Sequence, residues 1–368
     1  MRRNLLLTIG FASFAILFFA CEKDHPTQNI GDVYVDSPYN YQVPNGFPAM
    51  QSPSNNPLTK RGVELGRMLF YDPILSSDSS ISCASCHKPE FGFSDNNQFS
   101  IGVDGAIGDI QAMPLINMAW QTRFFWNGRA HSLEEQAIGP ITNPIEMHET
   151  PLNVITKLKS HPVYPKYFRT VFNSNDITID MVQKALSQFE RIIVSSDSKI
   201  DEFLVVGPSA FDDALEFEGF NIFMTERGQC FHCHGANGTL IAHNLDTLFR
   251  NNGLLNDAQL PGAGLSAISG KASDDGKFKV TTLRNIEFTA PYMHNGKFKT
   301  LEEVVEFYSS GINQNRNLDI NFTKNPERLD QFGGLGFTPR EKQALVKFLK
   351  TMTDTSLANK PELRNPFN

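Results

Sequence analysis

Two short stretches of sequence decide the chemistry of this chain, Cys83-Ala-Ser-Cys-His87 and Cys230-Phe-His-Cys-His234. Each is a C-x-x-C-H motif, which is the attachment signature of c-type haem. The two thiols add to the vinyl groups of the haem, and the adjacent imidazole becomes a ligand of the iron. The sequence therefore predicts two covalently bound haem c groups, held by Cys83, Cys86, His87, Cys230, Cys233 and His234.

Two other kinds of cysteine site are less consistent with this pattern. A thioredoxin-like redox pair is disfavoured because each motif has the trailing histidine and neither lies in a βαβ pattern. A zinc site built from four thiolates is disfavoured because the motif histidines, at positions 87 and 234, are 147 residues apart. The fifth cysteine, Cys21, stands alone near the N-terminus.

The N-terminus has the pattern of an export signal. Arg2 and Arg3 precede an apolar run over residues 5–19, which is short for a membrane span but suits a signal peptide. The run ends in Ala20-Cys21, which predicts a lipoprotein-type signal peptide over 1–20 and a lipid anchor on Cys21. Ordinary cleavage nearby is the alternative. Both interpretations predict export to the periplasm, where a c-type haem protein belongs.

Composition excludes one large class of function. The 368 residues include 33 Lys and Arg against 40 Asp and Glu, a net charge of −7, with no basic block. A nucleic-acid-binding protein would carry a basic stripe, so nucleic acid is not an expected partner. An acidic body instead favours a neutral or basic partner.

Helix signals dominate the sequence after residue 57, and alternating strand patterns are scarce. Residues 21–57 are rich in Pro, Asn, Ser and Tyr without a period, which predicts a flexible tether. Helices are expected over 60–70 after Thr59 and over 179–194 after Thr178. Further starts are predicted by three capping-box pairs and two first-turn prolines: Ser132 with Glu135, Thr300 with Glu303, Thr338 with Glu341, Pro151 and Pro339.

A weak internal repeat divides the chain. A predicted helix with Gly62, Gly66 and Phe70 precedes the first motif, and one with Gly219, Phe220 and Phe223 precedes the second. This spacing predicts two similar domains in tandem, over 58–205 and 206–355, with a short C-terminal tail over 356–368.

The sequence resembles the bacterial dihaem cytochrome c peroxidase family, including its MauG-type branch, over roughly residues 60–352. Besides the haem motifs, five segments carry the resemblance: Leu65-Gly-Arg-Met-Leu-Phe70, Phe125-Trp-Asn-Gly-Arg129, Asn143-Pro-Ile-Glu-Met147, Ala290-Pro-Tyr-Met-His-Asn-Gly296 and Leu301-Glu-Glu-Val-Val305. The resemblance implies an all-α fold of two tandem cytochrome c-like domains, each with one covalently attached haem. It also implies an N-terminal peroxidatic haem and a C-terminal electron-transfer haem.

The resemblance also implies the residues that act on peroxide. Glu146 and Gln136 match the glutamate and glutamine that the family places above the peroxide-binding haem. A carboxylate can take a proton from bound peroxide and return it to the leaving oxygen. Trp126 matches the tryptophan between the two haems, whereas Trp120 has no such match and is expected in the core. Arg129 is expected to support the site through the haem propionates or the loop.

Some family members block the peroxide-binding haem with a histidine in the loop after C-x-x-C-H. The corresponding residues here, 100–108, contain no histidine, and Val103 stands where the ligand would be. The resemblance therefore implies an iron that is already open in the oxidised state. His131 and His148 could substitute, but exposed or structural positions are expected for both.

The second iron needs an axial ligand opposite His234, and two residues compete for that position. The family position lies 14 residues beyond His294 and is Tyr308 here; Met293 is the alternative. Many peroxidases have methionine there, and MauG-type proteins have tyrosine. The choice matters because thioether ligation raises the haem potential and a tyrosinate should lower it.

Relatives hold a calcium ion between the haems, largely by backbone oxygens. Thr289 and Pro291 match two of those positions, and Gln111 stands near the position where relatives have asparagine. Oxygen ligands suit Ca²⁺, so one calcium ion is an expected additional cofactor. A homodimer is a further expectation.

Three functions follow from these features. The first is a cytochrome-c peroxidase that reduces hydrogen peroxide to water with electrons from a small c-type cytochrome or cupredoxin. The second is a MauG-type oxidase that modifies a protein substrate. The third is a dihaem electron carrier without peroxide chemistry, which would require six-coordinate iron at both haems.

Overall fold

The computed structural model describes residues 36–50, 52–235 and 249–367. The predicted signal peptide and Cys21 lie outside these residues. Within the described part, no helix is both long and apolar enough to cross a membrane.

The described residues are mostly helical, as the sequence predicts. Two antiparallel strands pair Phe249 with Lys279 and Arg250 with Phe278. In chain order the elements are α1 (Lys60–Tyr71), α2 (Cys83–Cys86), α3 (Leu133–Thr142), α4 (Pro151–Ser160), α5 (Tyr164–Phe172), α6 (Ile179–Arg191), α7 (Lys199–Val206), α8 (Ala214–Phe223), α9 (Phe231–His234), β1 (Phe249–Arg250), α10 (Ser266–Ser269), β2 (Phe278–Lys279), α11 (Leu301–Ser310), α12 (Ile320–Thr323), α13 (Pro326–Phe332) and α14 (Pro339–Lys350).

The helix starts follow the capping residues. The hydroxyl of Thr59 accepts a hydrogen bond from the amide of Gly62 at the start of α1. Reciprocal capping boxes form at α11 and α14, as predicted. Only one of the two hydrogen bonds of the capping box predicted at α3 is present. Ser132 accepts from the amide of Glu135, but the Glu135 carboxylate accepts from the amide of His131.

Helix α6 ends at Arg191, three residues earlier than predicted. Asn117 provides the reason. Its side chain accepts from the amide of Ser195 and donates to the carbonyl of the same residue, and its own amide donates to the carbonyl of Ile193. These bonds use the backbone groups that a longer helix would need for itself.

Two helix pairs, α1 with α6 and α8 with α14, are built in the same way. A Cβ added at Gly66 would lie 1.9 Å from the carbonyl oxygen of Ala185, and one added at Gly219 would lie 2.0 Å from that of Ala344. Both glycines are therefore needed for close contact between the helices.

The aromatic contacts of these pairs also match. Phe70 lies four residues after Gly66, and its ring centroid is 5.1 Å from that of Phe189. Phe223 and Phe348 hold the same relative positions in the second pair, also at 5.1 Å. The repeat noted in the sequence is thus a repeat of helix-packing geometry.

Buried apolar residues form two main clusters. Most members of the first lie between Val63 and Ile193 in sequence, and the second extends from Ile200 to Met352. By their contacts, residues Asp36–Asn368 belong to one unit, so the two clusters are parts of one body. The two final members of the first cluster are Leu357 and Leu363, from the segment predicted to be a tail. That segment packs on the body because these side chains are fully buried.

The second half of the predicted tether is also packed. Phe47 is buried in a small cluster with Trp120, their ring centroids 5.1 Å apart. The indole N–H of Trp120 donates to the carbonyl of Pro48. The described part of residues 36–57 thus differs from a free linker, because its aromatic side chains gain burial on the body.

Candidate active site

The first C-x-x-C-H motif lines a cavity of about 390 Å³. Helix α2 carries the two thiols and ends at Cys86, directly before His87. Glu146 and Gln136, predicted to act together, face this same cavity. Glu146 lies in the loop after α3, and Gln136 lies on α3 itself. Its wall also includes Met118, Phe124, Phe125, Trp126, Arg129 and Met147.

His87 is oriented to bind a metal. Its Nδ1 lies 2.9 Å from the carbonyl oxygen of Phe93, and since a carbonyl can only accept, Nδ1 carries the proton. The Nε2 atom is thereby left as the free ligand atom. Burial lowers the pKa of His87, which keeps the imidazole in the neutral form that coordinates iron.

The four motif cysteines form no disulfide among the described residues, and each is partly or largely shielded from solvent. Burial raises the pKa of Cys83 and Cys86, raises that of Cys230 to about 12, and raises that of Cys233 to about 11. Neutral thiols beside a cavity and next to a metal-ligating histidine fit covalent haem attachment.

Glu146 is a largely buried carboxyl held by a neighbouring amide. Its Oε1 accepts a 2.6 Å hydrogen bond from Nδ2 of Asn143. Burial raises the pKa of Glu146, while the Asn143 hydrogen bond and the positive charge of Arg129 oppose that rise. A carboxyl with a raised pKa exchanges protons closer to neutral pH than an ordinary glutamate does.

Gln136 is placed to bind something in the first cavity. It is 9% exposed, and its Oε1 has no hydrogen-bond partner among the described residues. A buried polar atom without a partner is costly, so an unpaired Oε1 on a cavity wall indicates a partner that enters the cavity.

The loop after the first motif supplies no histidine to the first cavity. Val103 is buried, and its amide donates to the carbonyl of Glu146 at 2.8 Å. Gly102 permits this contact, because a Cβ there would lie 2.3 Å from the carbonyl oxygen of Ile145. His131 and His148 are both exposed and are not among the described residues that line the cavity.

The second motif lines a second cavity, of about 220 Å³. Cys230, Cys233 and His234 face it, and burial lowers the pKa of His234 to about 4. His294 also lies on this wall, with its ring stacked on Phe278 at 3.6 Å between centroids.

Both candidates for the second axial ligand line the second cavity. Nδ2 of Asn252 bridges them, at 3.1 Å from the hydroxyl of Tyr308 and 3.5 Å from Sδ of Met293. Burial raises the pKa of Tyr308, and the Asn252 hydrogen bond acts in the opposite direction. Asn252 therefore stabilises the tyrosinate form, the form that would bind iron.

Trp126 lines both cavities. Its Nε1–H donates to the carbonyl of Gln111, and its carbonyl accepts from the amide of Lys279 on β2. Trp120, expected in the core, is 6% exposed and is absent from the described walls of both cavities.

The residues expected to hold calcium, Thr289 and Pro291, line the second cavity together with Gln111. Among the described residues, no group of three or more His, Cys, Asp or Glu side chains is arranged to hold a metal ion. A calcium ion at this wall would thus depend on backbone and amide oxygens.

Sequence reasoning missed several polar residues of these walls, among them Asn143, Asn252 and Glu190. Asn143 belongs to the quoted Asn143–Met147 segment, so its proximity to Glu146 gave a signal. No signal in the sequence indicated Asn252 or Glu190, because neither lies next to the motif whose cavity it faces.

The chain is similar to several known proteins. A family model described as "Di-haem cytochrome c peroxidase" matches residues 60–207. The chain is 36% identical over 305 residues to the cytochrome c551 peroxidase of Nitrosomonas europaea, covering 82% of each chain. It is 35% identical over 301 residues to the methylamine utilization protein MauG of Methylorubrum extorquens, covering 82% of this chain and 80% of that protein.

A solved structure has the same fold. It is a MauG-like protein associated with microbial copper homeostasis, with a TM-score of 0.80 and 30% identity, covering 90% of this chain and all of that chain. These relatives support an oxidoreductase of the peroxidase and MauG type, and the helical body with two cysteine–histidine cavities is consistent with that class. The chain belongs to the di-haem cytochrome c peroxidase family, which confirms the resemblance noted in the sequence.

Proposed function

We propose that this protein is a cytochrome-c peroxidase that reduces hydrogen peroxide to water with electrons from a small c-type cytochrome or cupredoxin. One peroxide, two electrons and two protons give two molecules of water. Electrons enter at the C-terminal haem and pass to the N-terminal haem. Residues 58–205 and 206–355 are the two haem domains of this proposal.

The family implies two haems, and the residues present fit them. Cys83, Cys86 and His87 would hold the first, and Cys230, Cys233 and His234 would hold the second. When bound, the haem iron supplies a coordination position for peroxide and the means to deliver electrons to it. The protein's contribution is to bind and orient peroxide and to move its protons.

Glu146 is the proton-transfer group of this proposal. Its carboxylate takes a proton from one oxygen of the peroxide and gives it to the other oxygen, which leaves as water. Asn143 holds the carboxylate through the 2.6 Å hydrogen bond to Oε1, so Oε2 is the atom that exchanges the proton. The raised pKa of Glu146 suits a group that must both accept and donate.

Gln136 orients the substrate. Its unpaired Oε1 accepts a hydrogen bond from a peroxide O–H, which holds the second oxygen toward Glu146. The absence of a loop histidine among the described residues of the first cavity supports an iron that is open in the oxidised state.

Trp126 provides the electron path. Its indole belongs to both cavity walls, and an aromatic π-system couples two redox groups better than saturated side chains do. This placement supports electron transfer through Trp126 from the second site to the first.

One observation carries the proposal: Glu146 and Gln136 face the same cavity as Cys83, Cys86 and His87. The test follows the oxidation of a reduced small c-type cytochrome after hydrogen peroxide is added to haem-loaded protein. Turnover should begin at once from the diferric protein. In Glu146→Gln it should fall by about 10²–10⁴-fold, the usual contribution of general acid–base catalysis.

Glu135→Gln is the matched control, because Glu135 is an exposed carboxylate close in sequence that does not line the cavity. It should retain wild-type turnover. Absence of turnover in haem-loaded wild-type protein would contradict the peroxidase proposal. Equal loss in both variants would show that Glu146 has no special role.

A second candidate function is a MauG-type oxidase that modifies a protein substrate. Tyr308 in the second cavity favours it, together with the Asn252 hydrogen bond to its hydroxyl. Similarity to a protein named for methylamine utilization is consistent with this candidate. Reaction with peroxide without oxidation of any small cytochrome would favour it over the peroxidase.

The proposal extends to compartment and partners. Residues 1–20 would direct export, and Cys21 would anchor the mature protein to a membrane on the periplasmic side. A calcium ion near Thr289 and Pro291 and a homodimer complete the proposed assembly. Mass spectrometry of the mature N-terminus, metal analysis and light scattering test these three points separately.

A further inference from the structure

A second carboxyl lies on the first cavity wall and has no part in the mechanism above. Glu190, at the end of α6, is 4% exposed and lines the cavity. Its Oε2 has no hydrogen-bond partner among the described residues. Isolated buried carboxyls are rare because removal from water is costly, so this one requires an explanation.

The internal repeat shows what the fold itself requires at that position. Ala185 and Ala344 occupy equivalent positions in the two helix pairs, because Gly66 packs closely against the carbonyl of Ala185 and Gly219 against that of Ala344. Five residues further along, the equivalent positions are Glu190 in α6 and Leu349 in α14. Both side chains line the cavity of their own motif.

An apolar residue therefore satisfies the packing at this position in the second site. Leu349 is a buried member of the second core cluster. Glu190 has about the same volume as leucine, but it places an ionisable group at a position that is apolar in the second site. The cost of burying it is consistent with a function, because the same helix geometry is stable with leucine.

Several charged groups surround Glu190, and Glu146, Arg129 and Asp109 line the same cavity. Arg191 on the same helix lowers its pKa and Glu134 on α3 raises it, and those two form an ion pair at 2.9 Å. Glu190 and Cys83 on α2 also interact electrostatically. On the neighbouring helices, burial raises the pKa of Tyr71 on α1, and Lys157 and Lys159 on α4 pair with Glu149 and Asp176.

We propose that Glu190 couples proton binding to electron binding at the first haem. The equivalent residue at the second site is Leu349, which cannot bind a proton. When an electron arrives at the first site, the carboxylate takes up one proton from solvent, which offsets the added negative charge. The inference rests on the proposed haem in the first cavity. It does not require that peroxide be the substrate.

Burial agrees with this role, since it raises the pKa of Glu190 to about 8. Below that pH the side chain is neutral and has little effect on the adjacent potential. Above it the carboxylate is negative and disfavours reduction. The potential of the first haem should therefore fall as pH rises through this range, by an amount that depends on Glu190.

The test measures both haem potentials between pH 6 and pH 10 by spectroelectrochemistry in wild type, Glu190→Gln and Glu190→Leu. Covalent haem content is counted first. Both variants should lose the fall in the first potential above pH 8, and the second potential should be the same in all three proteins. Glu190→Leu installs the residue that the repeat already accommodates, and Glu190→Gln keeps the shape if leucine packs poorly.

An unchanged pH dependence of the first potential in both variants would overturn the inference, as would an equal change at both haems. Haem-loaded protein that fails to reduce peroxide would contradict the proposed peroxidase while leaving these potentials measurable. A mature protein without covalent haem would contradict both proposals. Thermal unfolding of the variants separates a redox effect from a loss of structure.

Discussion

The indole Nε1–H of Trp126 donates a 2.8 Å hydrogen bond to the backbone carbonyl of Gln111, and both residues line both cavities. This bond fixes the indole ring between the two sites. It also ties the ring to a second residue of the same cavity wall, because the amide of Gln111 donates to the carbonyl of His294.

Trp126→Phe should slow electron transfer between the sites. The phenyl ring is smaller and harder to oxidise, and it lacks the N–H that fixes the ring. We expect turnover with a reduced cytochrome to fall by at least about tenfold, or about 1.4 kcal/mol in activation free energy. Stopped-flow absorbance of the two haems measures the step directly.

Trp120→Phe is the matched control. It also removes a buried indole hydrogen bond, which costs about 1 kcal/mol of stability, but at a position away from both cavities. Wild-type electron transfer is expected there. Similar rates in the two variants would exclude Trp126 from the electron path.

Arg129→Gln should move the acid limb of the pH profile. Glu146 must be ionised to accept a proton, so kcat/KM falls as pH drops through its pKa. The positive charge of Arg129 lowers that pKa. Its removal raises the pKa of Glu146, and the acid limb should move to higher pH while activity on the alkaline side is retained.

Arg123→Gln provides the comparison for this pH profile. Arg123 donates to the carbonyl of Gly128 and is not among the described residues of the first cavity wall. Its profile should coincide with that of wild type. A shift to lower pH in Arg129→Gln would contradict the electrostatic explanation.

Tyr308→Phe should change the spectrum of the second haem. The substitution removes the hydroxyl that Asn252 contacts and keeps the ring that stacks with Phe322. We expect altered absorption and electron paramagnetic resonance of that haem only, with a higher potential because an anionic ligand is lost.

Met293→Leu distinguishes the alternative ligand. It removes the thioether while keeping an apolar side chain of similar size, and it should leave the second haem's spectrum unchanged if Tyr308 is the ligand. The reverse result, a changed spectrum in Met293→Leu and an unchanged one in Tyr308→Phe, would identify Met293 as the axial ligand.

Gly66→Ala and Gly219→Ala should both destabilise the protein. The added methyl would lie within 2.0 Å of a backbone carbonyl oxygen in each case, so the helices must separate. Overpacking of this kind costs about 1–3 kcal/mol in the free energy of unfolding. Denaturant titration measures it.

Gly108→Ala is the control for these substitutions, because its added Cβ would approach no described neighbour closer than 3.4 Å. We expect a change within about 0.5 kcal/mol. Wild-type stability in Gly66→Ala would show that the close contact of α1 with α6 is unnecessary.

Local chemistry made much of this protein predictable from its sequence. The C-x-x-C-H motifs are contiguous, so their thiols and imidazoles necessarily enter the same cavity. Capping residues act within one turn, which is why the starts of α1, α11 and α14 were predicted correctly. The family resemblance of residues 60–352 added Glu146, Gln136 and Trp126, which no local pattern would have singled out.

Long-range packing decided the rest. Helix α6 ends early because Asn117, more than 70 residues away, binds the backbone of Ser195. The described part of residues 36–57 and residues 356–367 pack on the body because their apolar side chains find partners there, which composition alone does not reveal.

The sequence alone determined the two cysteine–histidine sites, because their ligands are adjacent along the chain. Only the tertiary structure brought Glu146 and Gln136 together on one wall and placed Trp126 on both. Only the structure, too, aligned Glu190 with Leu349. The physical reason is the same in each case: a cavity wall is assembled from helices distant in sequence, and their register is set by close contacts such as those at Gly66 and Gly219.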